Sequence, residues 1–122
     1  MTPLGARLRA MREERGVSLK DMARALNVSS AYLSALEHGH RGRPTFTLLQ
    51  RMIAYFNVIW DEAEELQRLA ELSDPKVSID TGGMTPEAAE FANRLAADIG
   101  RLDAEDLNFL KTEVIKRAGR RA

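Results

Sequence analysis

Apolar residues recur every three or four positions along most of the chain, which is the spacing of one face of a helix. Gly, Asn and Pro interrupt this spacing and divide the chain into segments of helix length. The pattern predicts five helices before residue 73 and two after residue 85, at 3–16, 19–26, 29–39, 45–56, 60–72, 86–99 and 104–118. An all-α fold is therefore expected.

Residues that suit a helix N-cap precede six of these segments, because a Ser, Thr or Asp oxygen can accept a hydrogen bond from the first turn. The expected caps are Thr2, Ser18, Ser29, Thr45, Thr85 and Asp103. Pro follows the first and the fifth of these caps, at the helix position that tolerates it best. The inward face of the fourth helix is predicted to comprise Phe46, Leu49, Met52, Ile53 and Phe56.

The helical pattern stops at Ser73, where "SDPKVSIDTGGM" has the composition of a linker. We therefore predict a first domain over residues 1–72, a linker over 73–85, a helical pair over 86–118 and a tail over 119–122. The apolar stripes of the pair carry Phe91, Leu95, Ile99 and Leu102 on one helix and Leu107, Leu110, Val114 and Ile115 on the other. Short helices with so little apolar surface need a partner, so the pair is expected to pack on the first domain or on another chain.

Residues 19–38 match a helix-turn-helix unit, in which two short helices cross steeply around a tight turn. Its five buried sites carry Met22, Leu26, Val28, Leu33 and Leu36. A small residue, Ala23, lies where the helices approach most closely, and Asn27 can adopt the positive φ that the turn requires. A plain helical hairpin of an all-α protein is the alternative interpretation.

From Leu4 to about Val58 the chain resembles the phage lambda repressor and Cro family, also called the xenobiotic response element (XRE) family, through "RLRAMREERGVSLKDMARALNVSSAYLSALEHGHRGRPTFTLLQRMIAYFNV". The resemblance implies a five-helix lambda-repressor-like DNA-binding domain, here followed by two C-terminal helices. It also implies that Glu37 pairs with Arg12 and so clips the first helix to the third. No family resemblance is found for residues 73–122.

The formal net charge is zero, but the charges are segregated along the chain. Residues 1–60 carry nine Lys/Arg against four Asp/Glu, a net charge of +5, whereas residues 61–106 carry four against thirteen, a net charge of −9. Residues 107–122 carry five against one, a net charge of +4. A polyanion such as double-stranded DNA is therefore expected to meet the first half.

The resemblance implies that the third helix enters the major groove and that neighbouring elements contact phosphates. The DNA-binding positions carried over are Ser29, Ser30, Ala31, Tyr32, Ser34, Ala35 and His38. Beside them, Lys20, His40, Arg41 and Arg43 are the cationic candidates, with Lys20, Arg41 and Arg43 the best placed to bind phosphate. The family often reads adenine with Gln at several of these positions, and this helix has none. Affinity is therefore expected to depend strongly on Arg41 and Arg43, which can contact phosphate or, less commonly, a base or a narrow minor groove. Solvated helix faces are expected for Arg7, Arg9, Arg15 and Arg24.

One such helix reads about half a site, so the family resemblance implies a homodimer on a palindromic operator. The stripes of residues 86–117 are the first candidate for the dimer surface. A second candidate combines Trp60, Phe56 and Leu66. The same C-terminal stripes could instead bind a different protein, as in an antitoxin or an adaptor, and this alternative stays open beside the regulator.

Other chemistries find little support in the sequence. The chain has no cysteine, which excludes disulfides and thiolate metal sites and fits a reducing cytoplasm. No apolar run approaches the roughly 20 residues of a membrane span. The pair His38 and His40 lacks a positioned third ligand, so neither a metal nor another cofactor is expected. Nor does any set of residues indicate catalysis, and we predict a cytoplasmic protein that is not an enzyme.

Overall fold

A computed structural model describes residues 1–120, and all regular elements in that range are helical. The helices are α1 (Pro3–Glu14), α2 (Leu19–Leu26), α3 (Ser30–Glu37), α4 (Phe46–Phe56), α5 (Asp61–Glu71), α6 (Pro86–Asp98) and α7 (Ala104–Gly119), with a 3-10 turn at Ile99–Arg101. The prediction of an all-α fold is confirmed. Residues 121–122 of the predicted tail lie outside the described residues.

All six predicted caps accept a hydrogen bond from the first turn of their helix. The donors are the backbone N–H groups of Gly5, Asp21, Tyr32, Leu48, Ala88 and Asp106. At α7 the bond is reciprocal, because the side chain of Asp106 also accepts from the backbone of Asp103. The six helix starts were therefore predictable from single residues.

Four of the first five helices are closed by a residue with positive φ followed by a hydrogen bond back across the last turn. The residues with positive φ are Gly16, Asn27, Gly39 and Asn57. The backbone N–H of the next residue then donates to a carbonyl five positions earlier, as from Val28 to Ala23 at 3.0 Å. This Schellman closure satisfies carbonyls that would otherwise lack a partner.

The chain divides into two compact units, Met1–Val77 and the segment from Ser78 onward. The first unit has one continuous hydrophobic core, formed by α1 to α5. Its buried hydrophobic residues are Leu4, Leu8, Met11, Met22, Ala23, Leu26, Leu33, Leu36, Leu48, Leu49, Met52, Ile53, Phe56, Val58, Leu66 and Ala70. The predicted inward position of Phe46 is wrong, since its side chain is 73% exposed. Leu48 is buried instead. Phe46 is exposed because it is the first residue of α4 and lies at the margin of the stripe that faces the core.

The second predicted dimer surface is also wrong in two of its three residues. Phe56 and Leu66 are fully buried in the core of the first unit. Trp60, by contrast, is 80% exposed and precedes α5 with φ 55°, a backbone conformation that is strained for a residue with a side chain. Trp60 and its exposed neighbour Ile59 present apolar surface at this position.

The first compact unit extends beyond residue 72, where we predicted the linker to begin. Ser73 is buried, and its hydroxyl accepts a hydrogen bond from the backbone N–H of Leu4 at 2.9 Å while donating to the carbonyl oxygen of Leu69. These two bonds join the end of α5 to the start of α1. Residues 73–77 therefore pack with the first unit.

The second unit consists of α6, the 3-10 turn and α7, and none of its described residues is fully buried. Its apolar stripes line an open groove of about 380 Å³. The groove is lined mainly by Phe91, Leu95, Ile99, Leu102, Leu107, Leu110 and Val114. Over its described residues, this unit therefore has an apolar face but no closed core.

Candidate nucleic-acid interface

The predicted helix-turn-helix frame is present, and four of its five framework residues, Met22, Leu26, Leu33 and Leu36, are buried. Ala23 is buried, as expected of a small residue at a close helix crossing, and α2 packs against α3. Asn27 has φ 59° and ψ 43°, which confirms the left-handed turn. Val28 is only half-buried, although it packs against the core. The frame therefore fixes where α3 lies.

The Arg12–Glu37 pair implied by the resemblance is present and bidentate. Nε of Arg12 donates to Oε2 of Glu37 at 3.0 Å, and Nη2 donates to Oε1 at 3.1 Å. The remaining Nη1 donates to the carbonyl oxygen of Val17 at 3.1 Å. Glu37 is only 2% exposed, and its hydrogen bonds raise the pKa of Arg12 above that of an ordinary arginine. The pair ties the end of α3 to α1.

A close approach of α1 to α3 is also made at Gly5, which the sequence analysis missed. A Cβ atom at Gly5 would lie 2.5 Å from the carbonyl oxygen of Glu37 and 2.7 Å from that of Leu36. Both distances are shorter than any real contact of this kind, so only glycine fits here. No local pattern could have shown this, because the contact joins residues 32 positions apart in the chain.

The predicted readers on α3 differ in how much of each is available to a ligand. Ser30 and Ala31 are exposed at the start of the helix, whereas Tyr32, Ser34 and Ala35 are half-buried. Ser29 is already engaged as the cap, its hydroxyl accepting from the backbone N–H of Tyr32 at 3.0 Å. The accessible part of α3 is therefore its first turn, and it carries small side chains.

Arg41 and Tyr32 lie together beside that first turn. The guanidinium carbon of Arg41 lies 5.9 Å from the centroid of the Tyr32 ring, within the range of a cation–π interaction. Tyr32 belongs to α3 and Arg41 to the loop after it, so the contact holds a loop cation next to the helix. These two predicted DNA-binding residues form one local cluster.

The remaining predicted contacts surround the same helix. Lys20 is exposed in the first turn of α2. His38 ends α3, where its Nδ1 lies 2.8 Å from the carbonyl oxygen of Ser34, and His40 is exposed in the loop. No group of three or more His, Cys, Asp or Glu side chains suited to a metal ion occurs within residues 1–120.

Arg43 is held by a residue that the sequence analysis did not single out. Its backbone N–H donates to Oδ1 of Asp74 at 3.4 Å, and its Nε lies 3.9 Å from Oδ2 of the same carboxylate. The residues are 31 positions apart. The sequence signal was weak, since Asp74 lies in a stretch whose Ser, Asp and Pro content is that of a linker.

Two arginines expected on solvated faces have defined partners. Nη2 of Arg15 donates to the carbonyl oxygen of Phe56 at 3.0 Å. The guanidinium carbon of Arg15 also lies over the Phe56 ring, 5.2 Å from its centroid. It therefore joins the end of α1 to the end of α4. Arg9 forms an exposed pair with Glu13, one helical turn further along.

Residues 3–69 match the family described as a helix-turn-helix domain. The chain belongs to this family, and the predicted XRE-like helix-turn-helix class is confirmed. Its sequence is similar to that of the HTH-type transcriptional regulator DdrOP3 of Deinococcus deserti, with 44% identity over 52 residues. That match covers 43% of this chain and 40% of the relative, so the similarity spans less than half of either protein.

A solved structure, the SinR protein/SinI protein complex, aligns with 94% of this chain and 98% of its own chain. The sequence identity is 21% and the TM-score is 0.45. Within residues 1–120, no helix combines the length and the apolar character that crossing a membrane requires.

Proposed function

We propose that the protein is a sequence-specific double-stranded DNA-binding transcriptional regulator, and more specifically a cytoplasmic repressor without enzymatic activity. The main support is the position of α3. Its end is clipped to α1 through Arg12 and Glu37, while its first turn is exposed beside Arg41. A helix held rigidly at one end and accessible at the other suits insertion into a major groove.

The size and charge of each proposed DNA-binding side chain decide whether it contacts bases or phosphates. Ser30 bonds to a base edge and Ala31 packs against a thymine methyl group, while their small size lets the backbone approach the groove closely. Lys20, Arg41 and Arg43 supply most of the affinity through phosphates. Strong discrimination by α3 alone is not expected, because its first turn has no side chain that can bond one base in two places.

DNA binding is tested by sequencing the DNA that co-purifies with the protein and by measuring affinity for the recovered fragments. We expect a preference over bulk DNA at physiological salt. Arg41→Ala and Tyr32→Leu should each weaken binding about 5- to 50-fold. The first variant loses the cation that binds the phosphate, and the second loses the ring that orients that cation. In the double variant the two losses should be less than additive, because the cation and the ring act together.

Arg24→Ala is the matched control, since it removes an exposed arginine from α2 outside the proposed contacts. An equal loss of affinity in Arg24→Ala would mean that the weaker binding of Arg41→Ala reflects only the change in net charge. A wild-type protein with no preference over bulk DNA would refute the regulator, whatever the variants do.

We further propose that the regulator is a homodimer on a palindromic operator and that the groove of the second unit is the subunit contact. Large apolar side chains remain accessible there, including Phe91, Leu110 and Val114. A second copy of the same groove would cover apolar surface with apolar surface, which is the usual chemistry of a self-complementary contact.

Sedimentation of the full chain tests the dimer. Val114→Glu places a charge on the groove and should convert dimer to monomer, whereas Thr112→Glu adds the same charge on the same helix outside the groove lining. A wild-type monomer at micromolar concentration would contradict the homodimer. The groove would then favour the antitoxin or adaptor alternative, in which α6 and α7 bind a different protein.

A further inference from the structure

Asp74 lies near the end of the first unit and contacts the loop after α3, which carries Arg41 and Arg43. The preceding residue, Ser73, is fixed by hydrogen bonds to Leu4 and Leu69. Asp74 is therefore positioned by bonds that do not involve its own side chain. A substitution of its carboxylate should leave the segment in place.

The carboxylate of Asp74 makes two contacts with Arg43 in the loop. Oδ1 accepts the backbone N–H of Arg43, and Oδ2 lies near Nε of the same residue. A Cβ atom at Gly42 would lie 3.3 Å from Oδ1, so glycine leaves room for this approach. The loop is thus shaped to bring an acidic side chain beside an arginine that we assign to phosphate binding.

We propose that Asp74 is an affinity-limiting residue that competes with DNA phosphate for Arg43. The inference rests on the proposed DNA-binding function. In the free protein the carboxylate partly neutralises the guanidinium, and a phosphate must replace it when DNA binds. The displaced carboxylate then remains close to the polyanion, which opposes binding.

The geometry favours competition over positioning. The Arg43 and Asp74 side chains are 52% and 47% exposed, and the Nε–Oδ2 distance of 3.9 Å is too long for a hydrogen bond. An exposed and loosely aligned ion pair orients its members weakly, so little preorganisation is lost when it is removed. The negative charge beside a phosphate site has the larger effect.

The sharpest test is Asp74→Asn in the full chain. The amide oxygen of asparagine can still accept the N–H of Arg43, so the loop keeps its anchor while the charge disappears. Affinity is measured by fluorescence anisotropy with a random-sequence duplex of about 30 base pairs, long enough for two half-sites one turn apart. We expect binding about 3- to 10-fold tighter at about 50 mM salt, with the gain shrinking at about 200 mM.

Glu62→Gln provides the charge control, since it removes one exposed acid from α5. The same gain in this control would overturn the proposal in favour of net charge. Unchanged or weaker binding by Asp74→Asn would also overturn it, and weaker binding would make Asp74 a positioning residue. In an Arg43→Ala background, Asp74→Asn should recover clearly less affinity than in the wild-type background.

A measurement without DNA separates this inference from the proposed function. The Nε–H resonance of Arg43 should shift in the NMR spectrum of Asp74→Asn, because its neighbouring carboxylate is gone. An unchanged resonance would show that the pair does not form in solution. Failure of the wild-type protein to bind any duplex would refute the proposed function, whereas binding without a response at Asp74 would refute the competition alone.

Discussion

Gly5 shows how strongly a single position can depend on the absence of a side chain. Gly5→Ala would put a methyl group within 2.5 Å of a backbone oxygen of α3, and neither backbone can yield easily. We expect the free energy of unfolding to fall by about 2–3 kcal/mol, as for other overpacked helix contacts. Chemical denaturation measures this change.

The control for Gly5→Ala is Ala10→Ser on the same helix, where the side chain is exposed. Its cost should stay near the helix propensity difference of about 0.5 kcal/mol. Equal effects of the two substitutions would mean that α1 does not approach α3 as closely as the structure has it.

The Arg12–Glu37 pair gives the second prediction at this scale. Arg12→Met leaves the carboxylate of Glu37 buried without its cation, and we expect a loss of about 3–5 kcal/mol in unfolding free energy. Adding Glu37→Leu should restore part of this loss, because the uncompensated charge is removed. Denaturant titration of the single and double variants tests both statements.

Arg9→Met is the matched control, since it breaks an arginine–glutamate pair on the same helix whose members are 45% and 59% exposed. Exposed pairs contribute little, so the loss should remain below about 0.5 kcal/mol. If Arg12→Met costs no more than this control, Glu37 is not effectively buried in solution. The raised pKa of Arg12 means that its guanidinium stays charged up to strongly alkaline pH, and the stabilisation that its charge contributes is lost as the pH rises through that raised value.

These three residue-scale contacts, Arg12–Glu37, Gly5 against α3 and Asp74–Arg43, differ in how far the sequence could predict them. The family resemblance implied the Arg12–Glu37 pair, because both residue types stand at the matching positions. Gly5 offered no such cue, because glycine occurs in helices for many reasons and its presence alone does not predict a close contact. The Asp74–Arg43 contact was equally hidden, because it depends on how the end of α5 returns past the loop.

At the scale of elements, the turn between α2 and α3 depends on one residue with positive φ. Asn27→Ala should destabilise the first unit by about 1 kcal/mol, because a Cβ atom without a compensating polar group disfavours the left-handed conformation. Asn27→Gly should change stability by less than about 0.5 kcal/mol, since glycine adopts this conformation freely. Thermal unfolding compares the two variants directly.

Equal losses for alanine and glycine at position 27 would contradict a left-handed turn. They would point instead to a role for the Asn27 side chain. The same comparison at Asn57, which has φ 54°, provides an internal replicate at the end of α4.

Element boundaries were predictable wherever a chemical signal marks them. The six capping residues predicted all but one of the helix starts, since each side chain bonds to a neighbour three positions away. The start of α5 was the exception, because Trp60 precedes it without a side-chain cap. Phe46 was misplaced for a related reason: periodicity describes the middle of a helix better than its first turn, where the core ends.

At the scale of the whole molecule, the two units are expected to differ in how their stability depends on concentration. The first unit has a closed core, whereas no described residue of the second is fully buried. If a second copy covers the groove, amide protection of α6 and α7 should increase with protein concentration by mass action. Protection of α1 to α4 should not change.

Hydrogen exchange at two protein concentrations about 100-fold apart tests this, and the first unit serves as the internal control. Protection of α6 and α7 that is independent of concentration would contradict stabilisation by self-association. A uniform change along the chain would contradict the separate behaviour of the two units.

The exposed side chain of Trp60 also decides how unfolding of this protein can be observed. It is the single tryptophan of the chain, and it already lies in water in the folded state. The wavelength of its emission should therefore hardly change when the first unit unfolds. A melting curve recorded by tryptophan fluorescence would report little of this unfolding transition. The same property makes Trp60 a reporter of binding, because its emission should shift to shorter wavelength only when another molecule covers its side chain.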